Sequence, residues 1–337
     1  MSFTVTNRKT GTTFSVKDDE TILDAGLANS TVFPYSCRGG TCGTCKARLV
    51  QGRIHHAHPP AALSAEELEQ GYVLLCQAVP ETDVEIEATE LAASAEIRIK
   101  ILPCRVSAMD KAAHDVMILH LKLPANQQFD YLAGQYIDIL LRDGRRRSFS
   151  MASRPQFGQE LELHVRHVPG GQFSSRVFES MKVKDLLRFQ GPFGTFFLRQ
   201  DNDLPAILMA GGTGLAPVKA LLEQALHDGS ARRFHLFWGV RQRRDLYLDD
   251  TMAEWAARHA NLDYTPVLSE PQADDDWRGE TGFVHEAVLA RYPDLAGHEV
   301  YACGPPVMID AARTRFPAHG LDPSRLYYDS FEFAVDD

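Results

Sequence analysis

The stretch Tyr35-Ser36-Cys37-Arg38-Gly39-Gly40-Thr41-Cys42-Gly43-Thr44-Cys45 decides how the chain begins to fold. Its three cysteines stand in a C-x4-C-x2-C pattern, and a fourth, Cys76, follows after a gap of thirty residues. That is the plant-type spacing for the four thiolate ligands of one [2Fe–2S] cluster. Three of the eleven residues are glycine, the residue that enters left-handed backbone conformations at little cost. Such a loop also leaves backbone N–H groups to aim at sulfur. Cys76 sits in the apolar run Val73-Leu74-Leu75-Cys76-Gln77, which can carry the last ligand in from a packed segment. Two other uses of cysteine fit less well. Zinc sites favour paired C-x2-C knuckles, and the second pair is missing here. Disulfides suit secreted chains, and the sequence shows no secretory feature.

At 337 residues the chain is long enough for two or three domains, with an ordinary 44% of hydrophobic residues. No apolar run approaches the roughly 18 residues that span a membrane. The N-terminus, Met1 to Thr6, alternates like a strand without targeting character, so a cytoplasmic protein is expected; the chain is read as a monomer. A net charge of −10 argues against nucleic acid as a partner. The acidity is uneven, with nine carboxylates and no Lys or Arg from Ile54 to Ile97. That run is either a solvated acidic face or a docking patch for a basic electron acceptor. His55, His56 and His58 are read as a solvated loop before Pro59-Pro60, and Cys104 as a buried strand residue.

Three segments follow one another. In the first, strands are expected at Phe3 to Thr6, Thr13 to Val16 and Asp83 to Ala88, with a helix at Glu20 to Ala28. The second is dense in alternating strands, Glu96 to Ile101, Asp115 to Lys122, Gln135 to Leu141 and Glu160 to His167, with a helix near Ser174 to Met181; regular short strands suggest an antiparallel barrel. The third alternates strand and helix: Ala206 to Ala210, a helix Pro217 to His227, Phe234 to Val240, a helix Leu248 to His259, Leu262 to Leu268, and Glu299 to Cys303. This implies a doubly wound parallel sheet.

Within the barrel, Arg147-Ser148-Phe149-Ser150 offers a planar cation suited to phosphate, an aromatic face and a hydroxyl at a strand end. Pro169-Gly170-Gly171-Gln172-Phe173-Ser174-Ser175 opens a helix, whose N-terminus favours an anion; alone it reads as an ordinary capped turn. Two phosphate-friendly elements in one barrel favour a dinucleotide such as FAD. In the third segment, Gly211-Gly212-Thr213-Gly214-Leu215-Ala216-Pro217 lies between a buried strand and a helix, where a pyrophosphate is held in such sheets. It departs from the G-x-G-x-x-G fingerprint, and no acidic residue ends the next strand. Tyr301-Ala302-Cys303-Gly304-Pro305-Pro306-Val307-Met308 repeats the strand–turn–helix pattern. It brings Cys303 to a carboxyl strand end, as a site residue or a small buried one.

With Tyr131-Leu132-Ala133-Gly134-Gln135-Tyr136, Leu163-His164-Val165-Arg166, Gly194-Thr195-Phe196-Phe197 and Thr281-Gly282-Phe283-Val284-His285, these motifs resemble the ferredoxin–NADP reductase superfamily along essentially the whole chain. The whole chain looks like the ferredoxin-containing reductase components of multicomponent oxygenases, and within that group it especially resembles the CDP-6-deoxy-Δ3,4-glucoseen reductases and, nearly as much, the reductases of Rieske aromatic-acid dioxygenases. The resemblance implies a β-grasp [2Fe–2S] ferredoxin domain over 1–90, a linker over 91–97, a six-stranded antiparallel FAD-binding barrel over 98–200 and a doubly wound NAD(P)H-binding domain over 201–337.

By the same resemblance Cys37, Cys42, Cys45 and Cys76 hold the cluster. FAD is met by Arg147, Ser148, Phe149, Ser150, His164, Val165 and the Gly170-Gly171-Gln172-Phe173-Ser174 turn. The nicotinamide nucleotide is met by Gly211, Gly212, Thr213, Gly214, Pro217, Arg241, Cys303, Gly304, Pro305 and Met308. Ser150, Cys303 and Phe331 are expected at the reacting centre, with Phe333 a competitor for the aromatic that covers the flavin. Phe149 replaces the usual tyrosine of the flavin motif. Electrons are expected to pass from NADH to FAD to the cluster and on to the terminal component of an oxygenase, of Rieske aromatic type. Alternatives are a pyridoxamine-phosphate sugar dehydrase as acceptor, or a redox carrier or sensor without fast turnover. Arg241, Arg243 and Arg244 leave NADPH open as donor, whereas Asp245-Leu246-Tyr247 looks like NADH-using relatives.

Overall fold

The computed structural model describes residues 2–94, 96–155 and 160–331. The chain divides into two compact units, Met1–Arg98 and Ile99–Asp337. In the first, five strands form one mixed sheet in the order Thr13–Lys17, Ser2–Asn7, Val84–Glu87, Lys46–Gln51, Tyr72–Leu74. Ser2–Asn7 runs antiparallel to Thr13–Lys17 and parallel to Val84–Glu87, the β-grasp arrangement. Alternation puts Val5, Phe14, Val16, Val84 and Ile86 inside, where Ile22 and Leu23 of the helix Ile22–Ala28 join them. That helix starts two residues later than its pattern suggests because Thr21 is its N-cap, accepting from the Asp24 amide.

The acidic run from Ile54 to Ile97 is partly neutralised by cations from elsewhere in the sequence. Arg8 pairs with Glu85, Lys46 with Glu67 at 2.5 Å and Arg53 with Glu81 at 3.8 Å. Residues 91–94 are held against the same unit, with Leu91 N donating to Val32 O at 2.8 Å and Ser94 buried.

The second unit begins with an antiparallel barrel ordered Arg146–Ser150, Tyr136–Leu140, Leu186–Phe193, Lys100–Lys111, Val116–Lys122, Glu160–Arg166. One bridge, Met151 to Leu163, joins its ends and closes it. Leu119, Ile137, Ile139, Leu163 and Phe189 fill the interior, and the helix Gln172–Glu179 adds Phe173 and Val177. The first strand begins at Lys100 rather than Glu96, because pairing starts where Lys100 meets Gly191. Arg147 to Ser150 close the strand Arg146–Ser150, with Ser150 at its end as expected.

The remaining residues form a parallel six-stranded sheet ordered Glu280–Thr281, Leu262–Leu268, Phe234–Val240, Ala206–Gly211, Glu299–Gly304, Leu326–Ser330. Helices Leu215–His227 and Asp249–Arg258 pack on one face around Trp238 and Leu208. Val284–Arg291 and Pro306–Ala318 cover the other around Met209 and Val300. The chain moves outward from Ala206–Gly211 on one side, then returns to Glu299–Gly304 on the other. Between those two strands lies the topological switch point, where such sheets open a ligand crevice. Among the described residues no helix is long and apolar enough to cross a membrane.

Gly134 joins barrel and sheet: its φ is +92°, and a Cβ there would lie 2.1 Å from Phe196 O and 2.9 Å from Leu221 Cδ2. Gly134→Ala is expected to cost more than about 2 kcal/mol. Calorimetry should show a lower thermal midpoint for the second unit with cluster absorbance retained; an unchanged midpoint contradicts this packing.

Candidate active site

Cys42, Cys45 and Cys76 are buried and Cys37 is partly exposed, all four as free thiols. Their sulfurs associate in two pairs, Cys37 with Cys42 and Cys45 with Cys76. The hydrogen bond from Cys42 brings Cys37 down to about 4, and that from Cys45 lowers Cys76. The donors, Cys42 and Cys45, are pushed up by the same bonds and by burial. The four sulfurs thus stand as two neighbouring pairs of soft ligands, which fits a cluster of two irons.

The cysteine loop turns through left-handed residues at Arg38, Gly40 and Gly43, with φ of 57°, 81° and 77°. The Gly39 amide lies 3.4 Å from Cys37 Sγ. Gln77 Nε2 donates to Arg38 O at 3.1 Å, tying the residue after Cys76 back to the loop. Leu75 N bonds Cys45 O at 3.1 Å and Leu23 N bonds Leu75 O at 3.0 Å. The fourth ligand is thus fastened to both the loop and the first helix.

On the barrel, Gly170 has φ +77° with nothing within 4 Å of an ideal Cβ. The helix that follows has Gly171 as N-cap with no side-chain cap bond, so its first amides are left for an anion. Arg145 reaches this helix start, donating to Gln172 Oε1 at 2.7 Å. Open space, uncapped amides and the Arg145 guanidinium fit a dinucleotide phosphate. The half-buried Phe149 ring rests 5.2 Å from Phe173.

Several side chains named from the sequence turn elsewhere. Ser148 Oγ donates to the buried Asp138 at 2.7 Å. Ser174 Oγ serves its own turn through Val168 and Gly171. Val165 and Phe173 point into the barrel core, because strand alternation and the inner helix face put them there. His164 has both ring nitrogens engaged, Nδ1 with Tyr247 Oη and Nε2 with Glu162 Oε1, each at 2.8 Å. What remains of these five for a cofactor is backbone.

The glycine turn stands at the switch point. A Cβ at Gly214 would lie 2.1 Å from Cys303 O; at Gly211 it would lie 2.8 Å from Met308 Sδ and 2.9 Å from Pro305 Cδ. Gly304, at φ +155°, sits so close that its Cβ would be 3.0 Å from Gly211 Cα. Met308 and Pro217 are buried supports of the two turns. Thr213 lies in the short turn Gly212–Gly214 before the helix Leu215–His227, which also lacks a side-chain cap bond. Gly212 faces the barrel: an ideal Cβ there would meet only Arg166 Nη1, at 3.6 Å. Arg166 is in turn held by Asp115 at 2.9 Å.

Cys303 is fully buried, its thiol pushed up by burial and by Asp329, its register partner on the neighbouring strand. Asp329 Oδ2 lies 3.5 Å from Ser150 Oγ, and Phe331 N bonds Gly304 O at 2.9 Å. Ser150, Cys303 and Phe331 thus come together through the strand Leu326–Ser330. Phe333 lies outside the described residues. Arg241 is exposed beyond the second strand. Arg166 and Tyr247 stand in motifs quoted from the sequence without a role of their own, and no local pattern gives Asp138, Glu162 or Asp329 one.

A model of a 2Fe-2S iron-sulfur cluster binding domain matches residues 5–81, one of an oxidoreductase FAD-binding domain residues 103–198, and one of an oxidoreductase NAD-binding domain residues 208–314. The CDP-6-deoxy-L-threo-D-glycero-4-hexulose-3-dehydrase reductase of Yersinia pseudotuberculosis is 41% identical over 331 residues, covering 98% of this chain and 99% of its own. The chain belongs to the iron–sulfur flavoprotein reductases. The reductase is also 37% identical to the phenol 2-monooxygenase reductase component of a Pseudomonas strain, over 100% of this chain and 96% of that one. The structure of an Amycolatopsis cytochrome P450 reductase matches with a TM-score of 0.82 at 33% identity, covering 98% of each chain. Its cofactors are therefore a [2Fe–2S] cluster, FAD and a nicotinamide nucleotide.

Barrel and nucleotide sheet share a buried charge cluster in this reductase. Lys219 Nζ lies 3.2 Å from Glu162 Oε1 and donates to Ala152 O at 3.0 Å. Burial raises the Glu162 carboxyl, but the His164 bond and the Lys219 charge outweigh it and bring it down to about 2. This stability is fully present above the ordinary carboxylate range and is lost as pH falls through about 2. Glu162→Gln is expected to cost roughly 3 kcal/mol at neutral pH and to flatten the loss of stability between pH 5 and 2. Denaturant unfolding across that range checks it; a variant with the parent's pH profile contradicts it.

Proposed function

We propose that the reductase takes hydride from NADH and delivers single electrons, through its cluster, to the terminal component of a multicomponent oxygenase. One observation carries the reading: the Gly211–Gly214 and Cys303–Gly304 turns form one floor at the switch point, and Asp329 links that floor to Ser150 on the barrel. Bound FAD supplies the conversion of a two-electron hydride into single electrons that a [2Fe–2S] cluster can carry.

The protein's own residues bind and position. Uncapped amides at Gln172, with Arg145 and Arg147 nearby, hold the FAD pyrophosphate. Ser150 presents its hydroxyl at the flavin edge, with Asp329 as its polar partner. The backbone of the Gly212-Thr213-Gly214 turn, with Arg166, holds the nucleotide pyrophosphate. Cys303, kept a neutral thiol by burial, lines the nicotinamide side without adding charge. Phe331, held beside the Cys303–Gly304 turn by its bond to Gly304 O, would supply the aromatic face on the nicotinamide side of a bound flavin. Cys37, the least buried ligand, marks where electrons leave, and the partner docks around that loop.

NADH is preferred because Arg243, the middle of the three arginine candidates for a 2′-phosphate, donates instead to Asp275 O at 2.9 Å. A second reading of the acceptor, a sugar 3-dehydrase, is favoured by the 41% identity with a reductase of that system. Anaerobic stopped-flow tests both parts. NADH should bleach the flavin at least about tenfold more efficiently than NADPH, about 1.4 kcal/mol of discrimination. The reduced protein should then be reoxidised fastest by an oxygenase component. Equal bleaching by NADPH overturns the donor; faster reoxidation by a sugar dehydrase overturns the acceptor.

A further inference from the structure

Three features of the second unit stay outside the scheme above. His114, Asp115 and Asp245 bring three potential ligand atoms within 4.8 Å of one another, but Asp115 already serves Arg166 and nothing else points to an ion. Phe283 and Val307 are exposed apolar residues at the carboxyl edge of the sheet, with nothing to say what covers them. The third is a polar chain that crosses from the barrel to the glycine turn, and it carries an argument.

The chain runs as follows. Lys219, on the helix behind the turn, pairs with Glu162 on the last barrel strand. Glu162 Oε1 lies 2.8 Å from His164 Nε2, and His164 Nδ1 lies 2.8 Å from Tyr247 Oη. The His164 side chain is wholly buried, so neither ring nitrogen has water as a substitute. One tautomer satisfies both partners, with Nε2–H donating to Glu162 and Nδ1 accepting from the Tyr247 hydroxyl. The Tyr247 ring meets Trp238 edge-on at 5.2 Å. Trp238 Nε1 in turn donates to Gly212 O at 2.9 Å, within the turn that receives the nucleotide.

We propose that Tyr247 is a positioning residue, and that the Tyr247–His164 bond fixes the distance between the nicotinamide-side glycine turn and the flavin-side barrel. The contacts of Tyr247 run to His164 and Trp238. Through Trp238 it holds the Gly212 carbonyl, and through His164 it is anchored to a strand of the flavin barrel. Other contacts hold barrel to sheet elsewhere, but among the described residues this chain alone ends on the Gly212 carbonyl, and hydride transfer is sensitive to small shifts of that turn against the flavin side. Asp245, two residues before Tyr247, adds a weaker contact to the same barrel through His114 at 3.7 Å. The inference rests on the assignment of the Gly211–Gly214 turn to the nicotinamide nucleotide.

The test is Tyr247→Phe, which keeps the ring against Trp238 and removes only the hydroxyl. Flavin bleaching is followed in anaerobic stopped-flow over a range of NADH concentrations, with FAD content and thermal midpoint measured alongside. The limiting rate constant should fall roughly tenfold, the size expected for a lost bond to a buried partner. The NADH concentration giving half that rate should stay within about twofold. His164→Gln keeps a group facing Glu162, loses the Tyr247 partner and should reproduce the loss. The double variant should lose no more than either single one. A limiting rate within twofold of the parent in both single variants overturns the proposal, as does a loss that disappears when free FAD saturates the barrel. If Tyr247→Phe does not fold, His164→Gln decides alone. A parent protein bleached by neither NADH nor NADPH would overturn the nucleotide assignment itself, a different result from either of these.

Discussion

Backbone touches backbone where the strands Ala206–Gly211 and Glu299–Gly304 end, and the nucleotide side of the molecule is built around that contact. Any side chain at Gly214 would strike Cys303 O, and one at Gly304 would press on Gly211. Thinness is what these glycines supply. Two turns from distant parts of the chain merge into one floor, with Met308 packed beneath. The helix Leu215–His227 then continues directly from the turn, Leu215 N bonding Gly212 O, so the positive end of its dipole stands at the crevice where an anion is wanted. Loss of the contact would separate Cys303 from the glycine turn and close the crevice that the switch point opens.

Polar seams keep this floor in register with the barrel. At one end Lys219, Glu162, His164 and Tyr247 form the continuous chain described above. At the other, Arg232 and Glu299 pair at 2.6 Å with almost no exposure, and Tyr301 Oη and Asn202 Nδ2 complete the carboxylate at 2.7 Å each. Arg199 donates to the carbonyls of Phe197 and Thr195 at the barrel's end and lies over the rings of Phe197 and Tyr327. Buried charges of this kind contribute little net stability, and their best-attested use is to fix one arrangement among several. That suits a protein whose two cofactor sites must stay at a set separation.

What could be read from the sequence was local. Cys37, Cys42 and Cys45 lie within nine residues of one another, so their spacing states their use. The parallel strands Phe234–Val240 and Leu262–Leu268 appear at their expected bounds, the first of them buried almost throughout. The strand Leu186–Phe193 was missed because Gly191-Pro192 interrupts its pattern. Ser150 meets Asp329 across 179 residues and Lys219 meets Ala152 across 67, and no window of sequence holds both partners. His164 shows the limit most plainly. Its position in a flavin-barrel motif suggested a cofactor contact, but its ring is spent on Glu162 and Tyr247. In the acidic run from Ile54 to Ile97, the pairing of Glu85, Glu67 and Glu81 with Arg8, Lys46 and Arg53 is likewise not visible in the run itself.

The central claim is an ordered internal route: nicotinamide nucleotide at the Gly211–Gly214 turn, flavin against Ser150, cluster at Cys37, Cys42, Cys45 and Cys76. Time-resolved absorbance of the anaerobic protein after mixing with NADH tests it most directly, because flavin and cluster bleach at different wavelengths. The account predicts that flavin bleaching comes first and depends on NADH concentration. Cluster reduction should follow at a rate independent of that concentration, with the protein taking up one electron more than the flavin alone accepts. Cluster reduction that precedes the flavin, or that persists when the flavin has been removed, would contradict it.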